Sequence, residues 1–122
     1  MTDRFLQRRV IDWHNREFPV APNAAVALKF GEEAGELLKA ANRLEHGRGV
    51  VGVGARGSIT TARRLNAELN IAEEIGDVLI CLTVLAHRYA DLLPTLEGGI
   101  ADFRQILANR IAVVAQRRPG DV

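Results

Sequence analysis

The chain has 122 residues, 48% of them hydrophobic and 25% charged, with 16 Lys+Arg against 15 Asp+Glu and a formal net charge of +1. Those values fit a single domain over residues 1–122, exclude a disordered chain, and argue against a nucleic-acid partner, because domains that bind a phosphate backbone carry a clear cationic excess. The lone Cys81 rules out an internal disulfide or a cysteine-built zinc site, and neither the charged N-terminus nor the longest apolar stretch, Val78 to Ala86, suits a signal peptide or a membrane span, so the expected location is the cytoplasm.

Sustained period-2 alternation is missing and aromatic residues are only 5%, so the expected class is all-α. The first helix is predicted from about Asp3 to Arg16, with Phe5, Val10 and Trp13 among its apolar positions, and Phe18-Pro19 marks its end. The second runs from about Asn23 to Glu45; Gly31 and Gly35 inside it each cost about 1 kcal/mol relative to Ala, which suggests close packing there. Five of the eleven glycines fall between Gly47 and Gly57, so a flexible loop is expected over about residues 46–60, splitting the chain into two helical halves. The third helix starts between Ala62 and Glu68 and runs to about Leu93, where Pro94 stops it. Its apolar run is hydrophobic nearly all round, which in so small a chain points to a partner subunit. A fourth helix is expected from about Leu96 or Ile100 to Gln116, with Ile100, Phe103, Ile106, Leu107, Ile111 and Val114 on one stripe, followed by a frayed tail over residues 117–122.

Two five-residue windows stand out: Glu32-Glu33-Ala34-Gly35-Glu36 and Glu73-Glu74-Ile75-Gly76-Asp77. Each sets acids at i and i+3 or i+4 on one helix face, and each places a glycine before its last acid. Like charges at that spacing repel, and Asp77 directly precedes the apolar run, where a lone buried carboxylate is expensive. A bound cation removes both costs. The windows offer carboxylate oxygens without histidine or thiolate, which favours Mg²⁺ or Mn²⁺, and neither Glu33 nor Glu74 has the histidine three residues on that di-iron bundles use. The plain alternative is that both windows are solvated helix faces.

Glu-Glu-x-x-Glu on one helix followed, after a loop, by Glu-x-x-Asp entering an apolar run resembles the all-α nucleoside triphosphate pyrophosphohydrolases of the MazG type, relatives of dimeric dUTPases, dCTP pyrophosphatases and phosphoribosyl-ATP pyrophosphohydrolases. Trp13, Phe18-Pro19 and the basic fourth helix are similar too, so the resemblance covers about Trp13 to Arg110. It implies a four-helix protomer in a homodimer or homotetramer, with Glu33, Glu36, Glu74 and Asp77 holding Mg²⁺, for which Mn²⁺ can substitute, and Glu32 and Glu73 as supporting acids. It also implies attack of water on the α-phosphorus of a nucleoside triphosphate; Glu33 or Glu36 is expected to be the catalytic carboxylate that orients or deprotonates that water. Two departures stand against the family pattern. The last helix has Arg104 and then Asn109 directly followed by Arg110, in place of a Lys and an Asn-x-x-Arg, and the Gly-rich loop is longer than in a minimal member.

Lys39, Arg43, Arg104 and Arg110 are candidate phosphate contacts, against exposed salt bridging as the plain reading. Trp13 is a candidate to stack on a nucleobase and Asn109 to hydrogen-bond one, although Trp13 equally suits a core position. The Gly-rich loop lacks the Gly-Lys-Ser/Thr ending of a P-loop and reads as a linker, with a lid carrying Arg48 and Arg56 as the sharper alternative. His14 and His87 read as surface or core-edge residues, and Cys81 as an unreactive buried thiol. Two rival functions remain open: a phosphoribosyl-ATP pyrophosphohydrolase, and a non-catalytic helical interaction module whose acids only solubilise it.

Overall fold

A computed structural model of the chain describes residues 4–45 and 61–117. The Gly-rich segment with Arg48 and Arg56, and residues 118–122 of the expected tail, lie outside the described residues. The described chain is mostly helical: α1 (Arg4–Glu17), α2 (Asn23–Glu45), α3 (Thr61–Arg88), a 3-10 turn (Ala90–Leu92), β1 (Thr95–Leu96), β2 (Ile100–Ala101) and α4 (Phe103–Val114). It divides into two compact units, one of Met1–Val20 with Thr83–Val122, the other of Ala21–Leu82. Among the described residues no helix is long and apolar enough to cross a membrane.

In the first unit, α1 closes with the Phe18 amide donating to the His14 carbonyl at 2.7 Å. Pro19 has no amide hydrogen to carry the helix further and restricts the residue before it. The buried face of α1 is centred on Gln7 and Ile11, with Val10 and His14 beside them, while Phe5 and Trp13 are exposed. The end of α3 departs from the expected helix to Leu93. The α-helix stops at Arg88 and tightens into i→i+3 bonds, Leu92 N–H to the Tyr89 carbonyl at 3.0 Å and Leu93 N–H to the Ala90 carbonyl at 3.1 Å.

The segment expected to open the fourth helix instead forms an antiparallel hairpin, with Thr95 opposite Ala101 and Leu96 opposite Ile100. Its turn needs Gly98 and Gly99 at φ of 88° and 76°, a region that L side chains rarely adopt. Helix α4 therefore begins at Phe103, where Asp102 caps it by accepting from the Gln105 amide at 3.2 Å. The stripe expected on that helix is split accordingly: Ile100 is buried in β2, Phe103 and Ile106 are half-buried, and Leu107, Ile111 and Val114 are exposed.

In the second unit, α2 spans the expected residues, its first turn starting on the Pro22 carbonyl, which accepts from Ala25 and Val26 at 3.0 and 3.1 Å. Its more buried side repeats every three or four residues: Val26, Phe30, Glu33, Leu37, Ala40 and Leu44. On α3 the corresponding series is Ala67, Ile71, Glu74, Val78 and Cys81. Each series has a glutamate in third place among apolar residues, and on α3 the half-buried Asn70 shares that side.

The close packing expected around the helical glycines is not found. A methyl group added at Gly31, Gly35 or Gly76 meets nothing within 4 Å, so these residues leave space beside the helix. Gly35→Ala should then gain the helix propensity of alanine, about 1 kcal/mol, and raise the thermal midpoint by roughly 3–5 °C. Calorimetry of the variant checks this, and a lowered midpoint would place another chain against that face.

Candidate metal centre

The two heptad-like series bring Glu33 of α2 and Glu74 of α3 to the same place, and Asp77, one turn after Glu74, joins them. One oxygen from each of the three carboxylates lies within 4.8 Å of the others. Glu33 and Glu74 are half-buried and Asp77 is exposed, so the cluster has a covered side and an open side. Three carboxylates at this separation repel one another, and the effect is visible at Glu74. Partial burial first, then the charges of Asp77, Glu33, Glu36 and Glu73, push its carboxyl above the ordinary 4.5.

The donor set suits a hard divalent cation. Around Mg²⁺, trans oxygens are about 4.2 Å apart and cis oxygens about 3.0 Å, so carboxylates up to 4.8 Å apart would draw together by as much as about 1.8 Å to share one ion. With three protein oxygens and an exposed third member, such an ion would keep positions for water or substrate. Mg²⁺ characteristically retains several waters.

Not every residue expected at this site joins the trio. Glu36 turns an exposed side chain toward Lys39, 4.0 Å away, though it is near enough to act on Glu74. Spacing alone does not separate the two windows, because Asp77 stands three residues after Glu74 just as Glu36 stands three after Glu33, and Asp77 joins the trio. Glu32 is likewise exposed, 3.9 Å from Lys29, and Glu73 is exposed beside Glu74. Lys39 and Arg43 lie exposed farther along α2.

Trp13, Arg104, Asn109 and Arg110 belong to the other unit. Trp13 is partly exposed, at 42%, in a ring cluster with His14 at 6.5 Å and Phe18 at 6.0 Å, and so is not a core residue. Asn109 accepts from Gln105 at 2.7 Å on the exposed face of α4, where Arg104 and Arg110 are also exposed. His14 and His87 are half-buried, each with an Nδ1 that is shielded from solvent and without a hydrogen-bond partner. Burial, with Arg88 beside both and Arg8 beside His87, holds both imidazoles below the ordinary 6.5.

Two groups at the trio escaped sequence reasoning in this role. Lys29, one turn before Glu33, places its ammonium 2.8 Å from a Glu33 oxygen, and the i, i+4 spacing was the available signal. Cys81, half-buried on α3, feels Glu33, Lys29 and Asp77, but burial is the largest influence and raises the thiol above 9.0, in keeping with an unreactive cysteine. Comparison of the chain with protein-family models, curated proteins and solved structures gave no match.

Proposed function

We propose that the protein is a Mg²⁺-dependent nucleotide pyrophosphohydrolase, converting a (d)NTP and water into the (d)NMP and pyrophosphate in cytoplasmic nucleotide-pool house-cleaning. The observation that carries this reading is the convergence of Glu33, Glu74 and Asp77 from two helices, with the two glutamates half-buried on largely apolar faces. A solvated acidic surface has no reason to turn its acids inward. Mg²⁺ bound here would neutralise the triphosphate and acidify a water.

The protein's own groups supply the rest. Glu33, Glu74 and Asp77 would hold the cation. Glu33 or Glu36 orients the attacking water and takes its proton as the new bond to the α-phosphorus forms and the bond to the bridging oxygen breaks. Glu32 and Glu73 add negative potential around the cation. Lys39 and Arg43, exposed cations farther along the helix that carries Glu33, are assigned to the phosphates.

The active form is proposed to be a homodimer or homotetramer. Support comes from α3, where Leu65, Leu69, Ile75 and Ile80 are all exposed, an apolar surface that a second copy would cover.

The test is product analysis by ion-exchange chromatography after incubation with each canonical NTP and dNTP and with phosphoribosyl-ATP, with Mg²⁺ and with EDTA. Monophosphate and pyrophosphate from one or a few (d)NTPs, abolished by EDTA, is the expected result. Turnover of phosphoribosyl-ATP alone would move the protein to that branch. Absence of turnover together with absence of saturable Mn²⁺ binding would leave the interaction module.

A further inference from the structure

The chain contains only two lysines among its 16 basic residues, Lys29 and Lys39, and they flank the first acidic window on α2. Their partners differ. Lys39 faces exposed Glu36 at 4.0 Å, whereas Lys29 reaches a half-buried member of the trio, 2.8 Å from Glu33 Oε1, and also lies 3.9 Å from Glu32. The Lys29 side chain is itself well exposed, so its stem lies outside while its charged tip rests on the cluster. Among the described side chains, Lys29 is the cation paired with a member of the trio.

We propose that Lys29 is a tethered counter-ion that competes with the divalent cation for Glu33 and so sets the metal concentration at which the site fills. This rests on the trio being a metal site. The chemistry of the side chain favours such a role. A lysine ammonium is a compact point charge on a flexible stem, able to leave one oxygen without breaking a planar fork, whereas an arginine would clamp the carboxylate through two parallel bonds. With Lys29 on Glu33, one of the three converging charges is neutralised. A divalent ion entering the cluster meets that positive charge a few ångströms away and must displace it, which lowers affinity without blocking the site.

The experiment is a Mn²⁺ titration of the full chain by electron paramagnetic resonance, with wild type, Lys29→Met and Lys29→Arg side by side. Thermal midpoints are measured in EDTA. Lys29→Met should bind Mn²⁺ about fivefold more tightly at low ionic strength, with the gain shrinking as salt is added. Lys29→Arg keeps the charge and should show no gain. In EDTA the Met variant should melt no higher than wild type, because it has lost the cation that offsets the trio. Unchanged or weaker Mn²⁺ binding in Lys29→Met, with a saturable site in wild type, would overturn the role of Lys29 and leave the metal site standing. No saturable Mn²⁺ in wild type would overturn both.

Discussion

Replacing Glu74 with Gln should abolish saturable Mn²⁺ binding and cut Mg²⁺-dependent pyrophosphate release by at least about a hundredfold, while the metal-free variant melts higher than the parent. The last part distinguishes a site from a scaffold. Glu74 is half-buried among Asp77, Glu33, Glu36 and Glu73, and its carboxyl is held above 4.5. A raised folded-state value means that between 4.5 and that value the folded chain keeps a proton that the unfolded chain has lost. Metal-free stability therefore falls as pH rises through that window, and the deficit persists at neutral pH. An uncharged amide of the same shape removes the deficit and the pH dependence together, so the gain should vanish below pH 4.5. Losing activity while gaining stability is expected of a residue kept in an unfavourable place for a ligand. Glu33→Gln should lose metal in the same way but without a comparable gain, because Lys29 already offsets Glu33 at 2.8 Å. Glu45→Gln, at the exposed end of α2, changes net charge equally and should leave Mn²⁺ binding intact. Retained Mn²⁺ binding in Glu74→Gln would sink the assignment.

How much of this arrangement is legible in the sequence differs residue by residue. The paired acidic windows and the limits of α2 are evident from spacing and from Pro22, because they depend on helical periodicity and terminators that act locally. The choice among the acids is legible only when they are read against their apolar neighbours. Val26, Phe30, Leu37, Ala40 and Leu44 define a face that contains Glu33 and leaves out Glu32 and Glu36, and Ala67, Ile71, Val78 and Cys81 select Glu74 but not Asp77, which joins the trio from the exposed edge of α3. Motif matching alone treats all the acids of a window as equivalent. The hairpin is less accessible, since strands of two residues are too short to show alternation and the apolar Ile100 extends the α4 stripe by accident. Its signal was Pro94 together with Gly98-Gly99, a stop followed by a turn. The helical glycines misled for another reason: a missing side chain is compatible with close approach and with open space alike, and the backbone pattern does not tell them apart.

The least legible residue of all is Gln7, and removing it should have the largest effect on stability. A glutamine between Leu6 and Arg8 carries no sign of burial, yet it is only 2% exposed and donates through Nε2 to the Ala101 carbonyl at 3.0 Å, joining α1 to β2. Ala101 is equally buried, so water is a poor replacement for that donor. The turn beside it is tied by Arg8, which donates to the Gly98 carbonyl at 3.2 Å, and that exposed contact cannot hold the ribbon alone. Gln7→Ala should cost about 2–3 kcal/mol, combining a lost hydrogen bond, an unpaired acceptor and a cavity. The midpoint should drop by on the order of 10 °C. Gln7→Leu fills the space and restores apolar contact without a donor, and should lie between Ala and wild type. Gln7→Glu presents a carboxylate to a carbonyl and should be at least as damaging as Ala. Chemical unfolding ranks the three, and amide exchange locates the damage: the Gly99 and Asp102 N–H groups, which bond to the Leu96 and Pro94 carbonyls at 3.1 and 2.8 Å, should lose protection first. If Gln7→Leu proved as stable as wild type, the burial of apolar residues such as Ile11 and Ile100 rather than the side-chain amide would be what holds the ribbon to α1. Because Gln7 lies in one unit and the carboxylate trio in the other, the Leu variant should keep Mn²⁺ binding at temperatures where it remains folded.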